Sequence, residues 1–279
     1  MEIKTNTENF NAAITYLHQC SQFMAIFANQ LVNAKEDTSH TNFLWDEDRG
    51  RLYTQGSNTD PRARMFLQIN EGLLGISCDK KEVLQPTEGW TPTEILQWMN
   101  DRLAYWKIRK TPLETALPYE IPYPKAQEEA FISPDHRWLA QWGLLIDQFN
   151  DAMESILEGH TQHGKTRVWP HHFDLGNYII LNQDEQGNIT ESIGFGLAIP
   201  DSLSPHPYGY INYFGEGKEL EIPNRSPLYG QWVKEGMQGI ICPVDVFLNQ
   251  ESHQPKEVFK FFQSGIETIQ AAVSKTENV

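Results

Sequence analysis

Cysteine is scarce: the chain of 279 residues has three, Cys20, Cys78 and Cys242, far apart and with no C-x-x-C pairing. That spacing excludes a disulfide framework and a thiolate zinc site, and it fits a reducing compartment. Positive charge is also short, with 22 Lys and Arg against 37 Asp and Glu, a net charge of −15. The long-range field therefore repels phosphate backbones and anionic membrane surfaces. The cations are scattered, with no run beyond Lys80-Lys81, so nucleic acid is not an expected partner. Long apolar runs are missing as well. Residues 9–34 carry no formal charge, but Asn9, Asn11, His18, Gln19, Gln22, Asn29, Gln30 and Asn33 interrupt them too often for hydrocarbon. No basic segment followed by an apolar one marks a secretory signal, so the cytoplasm is the expected compartment and the membrane is not a partner. What remains is a globular composition, 39% hydrophobic and 11% aromatic, in a chain long enough to bury a sizeable core.

Several catalytic signatures are absent too: there is no G-x-S-x-G elbow, no H-E-x-x-H and no EF-hand loop. One motif is present by spelling. "GHTQHGKT", residues 159–166, satisfies G-x-x-x-x-G-K-[ST]. A phosphate-binding P-loop needs a strand before it and a helix after it, because the helix N-terminus and successive backbone N–H groups cradle the phosphates. Here the strongest helical pattern in the chain precedes Gly159, and Pro170 blocks a helix afterwards. Nucleotide binding at this segment is therefore a false match, and Gly159 reads as a helix-terminating glycine.

Hydrophobic spacing predicts an α+β fold, with antiparallel sheets flanked by helices. Phe10, Ile14, Leu17, Met24, Phe27 and Leu31 recur near 3.6 residues and form a helical stripe. Strand-like runs follow at 42–45, 51–55, 64–69 and 73–78, divided by turn residues. "TPTEILQW" opens a helix with Thr91 as N-cap, Pro92 in the first turn and Glu94 completing a capping box. Residues 111–132, with Pro112, Pro118, Pro122 and Pro124, form an extended strap between an N-terminal half (1–110) and a C-terminal half (133–279). A long helix is expected from Ser133-Pro134 onwards. It is followed by strands at 167–181, 192–199 and 208–214, a helix at 228–237 begun by Ser226-Pro227, and a last helix at 255–273. The repeated order of helix, strands and helix suggests a duplication that makes two pseudo-symmetric α-β-β-β-α halves.

The segment with most chemistry is "WPHHFDL". On an extended strand, alternate side chains share a face, so His172 and Asp174 project together while Trp169, His171 and Phe173 face the other way. That pair suits a hydrogen-bonded network, the polar lining of a ligand pocket, or two ligands of one divalent metal. His206, in the loop before the next strand, is the best candidate for a third ligand, with His136, Asp46 and Asp48 behind it. The Trp169-Pro170 bond is a candidate cis peptide marking a bent strand end. Gly194, Gly196 and Ala198 leave one strand face bare, inviting a packed helix or a ligand, and Tyr208 and Tyr210 supply aromatic walls with hydroxyl tips.

"VWPHHFDLGNYIIL", "ESIGFGLAIPD" and "PHPYGYINYF" together resemble a set of uncharacterised bacterial proteins, a domain of unknown function. Those proteins have a Trp-Pro-His-His-Phe-Asp segment, a small-residue strand ending near an Asp and a Pro-Tyr-rich strand. The likeness spans roughly residues 110–215 and implies a bacterial origin and a shared site, without implying an activity. The residues then support two functions. One is a small-molecule-binding or interaction module whose ligand meets His171, His172, Asp174, Tyr208 and Tyr210. The other is a metal-dependent hydrolase or lyase with His172, Asp174 and His206 as ligands. Oligomeric state leaves no mark in the sequence.

Overall fold

In a computed structural model, residues 7–121, 129–248 and 254–276 are described. The prolines Pro122 and Pro124 of the expected strap lie outside them. The fold is α+β, with antiparallel sheet strands and flanking helices. Among the described residues no helix is long and apolar enough to cross a membrane. The chain divides into two compact units, Met1–Leu144 with Arg167–Phe173, and Leu145–Thr166 with Asp174–Val279.

Unit 1 is built on α1 (Thr7–Leu31), a sheet in the order β6-β1-β2-β3-β4-β5, and α2 (Pro92–Tyr105). Its strands are β1 (Phe43–Asp46), β2 (Arg51–Thr54), β3 (Ala63–Gln68), β4 (Leu73–Cys78), β5 (Lys81–Pro86) and β6 (Arg167–Trp169). Alternation sends Leu52, Met65, Leu67, Leu74 and Ile76 to one face, where all are fully buried, and α1 packs on β2 and β3 from that side. The helix is covered on more than its apolar stripe: His18, Ser21 and Gln22 are buried too. That explains the uncharged stretch, since a helix enclosed on most sides has no face on which a charge stays hydrated. At α2 the capping box forms as expected, with Thr91 Oγ1 accepting from the Glu94 N–H and Glu94 accepting from the Thr91 N–H. Strand β5 escaped the periodicity because it is an edge, where Lys81, Glu82 and Pro86 face solvent or need no partner.

The long helix α3 (His136–Leu157) starts three residues later than Ser133; Asp135, not Ser133, accepts from the Arg137 N–H at its first turn. Unit 2 takes the later part of α3, β7 (Asp174–Gln183), β8 (Ile189–Ala198), β9 (Tyr208–Gly215), β10 (Gln231–Val233), β11 (Gly239–Pro243), the one-turn α4 (Asp245–Leu248) and α5 (Gln254–Thr276). Its strands run β10-β11-β9-β8-β7. Ile193, Phe195, Leu197 and Ile211 are fully buried on the helix-bearing face, where Phe262 of α5 meets Phe195 and Phe149 edge-on, at 5.2 and 5.6 Å. The helix expected at 228–237 is instead a hairpin strand, with Gln231, Trp232 and Val233 paired to Ile241, Ile240 and Gly239. Gly230 decides this: it sits at φ +72°, and a side chain there would collide with the Ile241 carbonyl.

Candidate functional site

The Trp-Pro-His-His-Phe segment belongs to unit 1, and it is a turn where the strand expected at 167–181 was to break, if anywhere, near Gly176. After β6 the chain folds back so that the Phe173 N–H donates to the Trp169 carbonyl at 2.6 Å, and Phe173 adopts φ +55°. Alternation therefore stops at Trp169, and the same-face argument for His172 and Asp174 fails. The Trp169-Pro170 bond is not cis; the cis peptide among the described residues is Asp60-Pro61. The turn is held by α1. His18 Nε2 donates to the Pro170 carbonyl at 2.9 Å, Gln22 Nε2 donates to the same oxygen at 2.8 Å, and the His18 ring stacks on Phe173 at 5.3 Å. Tyr119 lies against His171, their rings 5.6 Å apart, and donates its hydroxyl to Gln22. His171 and His172 are ring neighbours at 4.3 Å. Burial lowers the His18 pKa to about 4 against the opposing pull of its hydrogen bond to Pro170, with smaller lowering contributions from the neighbouring imidazoles His172 and His171. Burial and His172 lower that of His171 to about 4 as well.

Asp174, His206, Tyr208 and Tyr210 belong to unit 2. Tyr210 donates to Asp174 Oδ2 at 3.0 Å, and Tyr208 donates to Asp201 Oδ2 at 2.8 Å. Burial, and then the Asp174 charge and its hydrogen bond, raise the Tyr210 pKa well above the ordinary phenol value. The His206 backbone is tied on both sides to the Ser204 hydroxyl. The bare strand face has an occupant from the chain itself. Tyr210 pairs with Gly196 across β8 and β9, and its hydroxyl lies where a side chain on Gly176 or Gly196 would go. Asn212 fills the space over Gly194 in the same way. Among the described residues, no three His, Cys, Asp or Glu side chains are grouped so as to hold a metal ion. His172, Asp174 and His206 thus do not form the expected metal set.

The groove that the structure does open lies elsewhere, on the outer face of the unit 1 sheet. It encloses about 600 Å³. Six of its lining residues are cations: Arg49, Arg51, Arg62, Arg64, Lys80 and Lys81; three are acids: Asp46, Asp79 and Glu82. A chain of net charge −15 therefore carries a local excess of three positive charges here. Strand alternation builds the floor. Arg51 and Tyr53 of β2 face outward between buried Leu52 and Thr54, and Arg64 and Phe66 of β3 do the same. The Phe66 ring lies over Gly75 on β4, where any side chain would collide with it. The Arg51 guanidinium stacks on that ring 4.2 Å from its centroid, and Arg64 lies 5.4 Å over Tyr53. Arg51 is further fixed by Glu82 at 3.0 Å and Gln68 at 3.2 Å, while its Nε is buried without a hydrogen-bond partner. Among the described residues Arg62, Arg64, Lys80 and Lys81 make no ion pair with a carboxylate of the chain.

Composition hid this groove because its cations come from three separate stretches of sequence. A signal was nonetheless present in the strand alternation of Arg-Leu-Tyr and Arg-Met-Phe, which places an arginine and an aromatic on one face of each strand. No family model, curated protein or solved structure matches the chain.

Proposed function

We propose that the protein is a small-molecule-binding protein and that it takes an anionic ligand in the groove of unit 1. One observation carries this: four cations without carboxylate partners, together with an arginine held rigid on an aromatic ring, line a cavity of about 600 Å³ in an otherwise acidic chain. That volume falls in the range of small-molecule sites. Guanidinium forks recognise phosphate and carboxylate oxygens with two parallel hydrogen bonds, and an arginine positioned beforehand loses little entropy on binding. Asp174, Tyr208 and Tyr210 are better explained as structure, because Tyr210 is already spent on Asp174 and Tyr208 on Asp201.

Thermal unfolding with inorganic pyrophosphate tests this. The midpoint should climb with ligand concentration by mass action and less steeply at high salt, and an Arg64→Gln/Lys81→Gln variant should lose the effect. An unmoved midpoint at millimolar pyrophosphate, or an undiminished rise in the variant, overturns the proposal.

A further inference from the structure

The groove has two unlike ends, and this inference rests on its being an anion site. At the end formed by the β4–β5 turn, Arg62, Arg64, Lys80 and Lys81 face Asp79 and Glu82, and Glu82 is already engaged by Arg51. At the other end, where β1 passes into β2, Arg49 is accompanied by Asp46, whose Oδ1 accepts the Arg49 N–H and whose Oδ2 lies 3.9 Å from the Arg49 side chain. The register sets the separation. Asp46 pairs with Arg51 and Arg51 with Gln68, whereas Arg64 pairs with Ser77 and Ser77 with Glu82. Gln68 and Arg64 are four residues apart on one strand, about 13 Å.

Between the ends the floor is aromatic, but its faces are taken. Arg51 covers Phe66 and Arg64 covers Tyr53, so a nucleobase has no ring to stack on, which is the usual platform for nucleotides and single strands. A carboxylate such as Asp46 accepts hydrogen bonds only, and suits hydroxyl groups.

We propose that the ligand is a phosphorylated sugar or polyol, with its phosphate among Arg62, Arg64, Lys80 and Lys81 and its hydroxyl-bearing body extended toward Asp46. Glu82 then acts as an internal competitor, holding Arg51 in place until a ligand anion shares it.

Isothermal titration of the full chain with inorganic phosphate, glucose 6-phosphate and adenosine monophosphate tests this. Glucose 6-phosphate should bind about tenfold more tightly than phosphate, the scale of one or two added hydrogen bonds, and more tightly than the nucleotide. Asp46→Asn keeps the oxygen that caps the Arg49 turn; it should erase the advantage of the sugar phosphate over inorganic phosphate. Lys80→Gln/Lys81→Gln, at two exposed positions, should weaken all three ligands, and Glu82→Gln should tighten them. Equal binding of phosphate and sugar phosphate, or a preference for the nucleotide, removes the sugar inference and leaves the anion site standing. Binding of none of the three removes both.

Discussion

The outer faces of the two sheets are made by the same device and end in opposite chemistry. In unit 1 the ring of Phe66 lies over its cross-strand partner Gly75; in unit 2 Tyr210, opposite Gly196, brings its hydroxyl into the space that a side chain on Gly176 or Gly196 would need. Phe66 has no polar tip, so its outward face becomes a bed for Arg51, and cations gather above it around open space. Tyr210 has a hydroxyl, which runs across Gly176 to Asp174 and closes the face. One phenolic oxygen separates a floor from a lid. An aromatic over a glycine is thus a neutral building element, and what lies at its rim decides whether a site results.

The largest contrast should come from filling the two glycines. An alanine Cβ at Gly196 would lie 2.0 Å from the Leu175 carbonyl oxygen, a backbone atom that moves only if the strand does. At Gly75 it would lie 2.0 Å from Phe66 Cζ, the far end of a side chain that can swing. Gly196→Ala should therefore cost about 3–5 kcal/mol and Gly75→Ala about 1–2 kcal/mol, the scale of overpacking. Urea unfolding of both variants measures this. Equal losses would mean that the ring over Gly75 is as immovable as backbone, and the comparison between floor and lid would fail.

Acid should distinguish the units next. His18 is fully buried with a pKa lowered to about 4, while in the unfolded chain it titrates near 6.5. The unfolded state binds the extra proton, so the stabilisation is complete above pH 6.5 and drains away as the pH falls through that value toward 4. The shift corresponds to about 3 kcal/mol. Stability measured from pH 7 to pH 4 should fall steeply in the native chain. It should fall less in His18→Gln, whose amide can still donate to Pro170. A parallel decline in both would place the acid sensitivity outside the α1 contact with the Trp-Pro-His-His-Phe turn.

Legibility differed along similar lines. Elements with a full period, such as α1, β3, β4, β8, β9 and α5, were readable because one face is buried and the other is not. The capping box at Thr91 was readable because its chemistry is local. β5 and β10 were not: an edge strand of Lys, Glu and Pro has no buried alternation, and Gly230 needs its partner strand in view before its positive φ matters. The same-face reading of His172 and Asp174 failed at one residue. Phe173 in the left-handed region turns the chain between His172 and Asp174, and nothing about a phenylalanine announces that conformation. The groove was missed for the converse reason, since Arg51 and Arg64 read as ordinary strand residues, and Arg49 and Arg62 as turn residues, until the strand register aligned them.

The smallest effects sharpen the comparison most, because they separate residues that hold the fold from residues that await a ligand. Tyr210→Phe deletes one hydroxyl whose acceptor is the Asp174 carboxylate, and it should cost about 1–2 kcal/mol in urea unfolding. Arg64→Gln removes an exposed guanidinium that makes no ion pair among the described residues and should change stability by less than about 0.5 kcal/mol. The same change should nevertheless weaken pyrophosphate binding. Cations whose loss costs no stability but weakens anion binding belong to a site, whereas a polar pair whose loss destabilises the chain belongs to the fold. If Arg64→Gln instead destabilises the protein as much as Tyr210→Phe, both faces are structural and the distinction between them is lost.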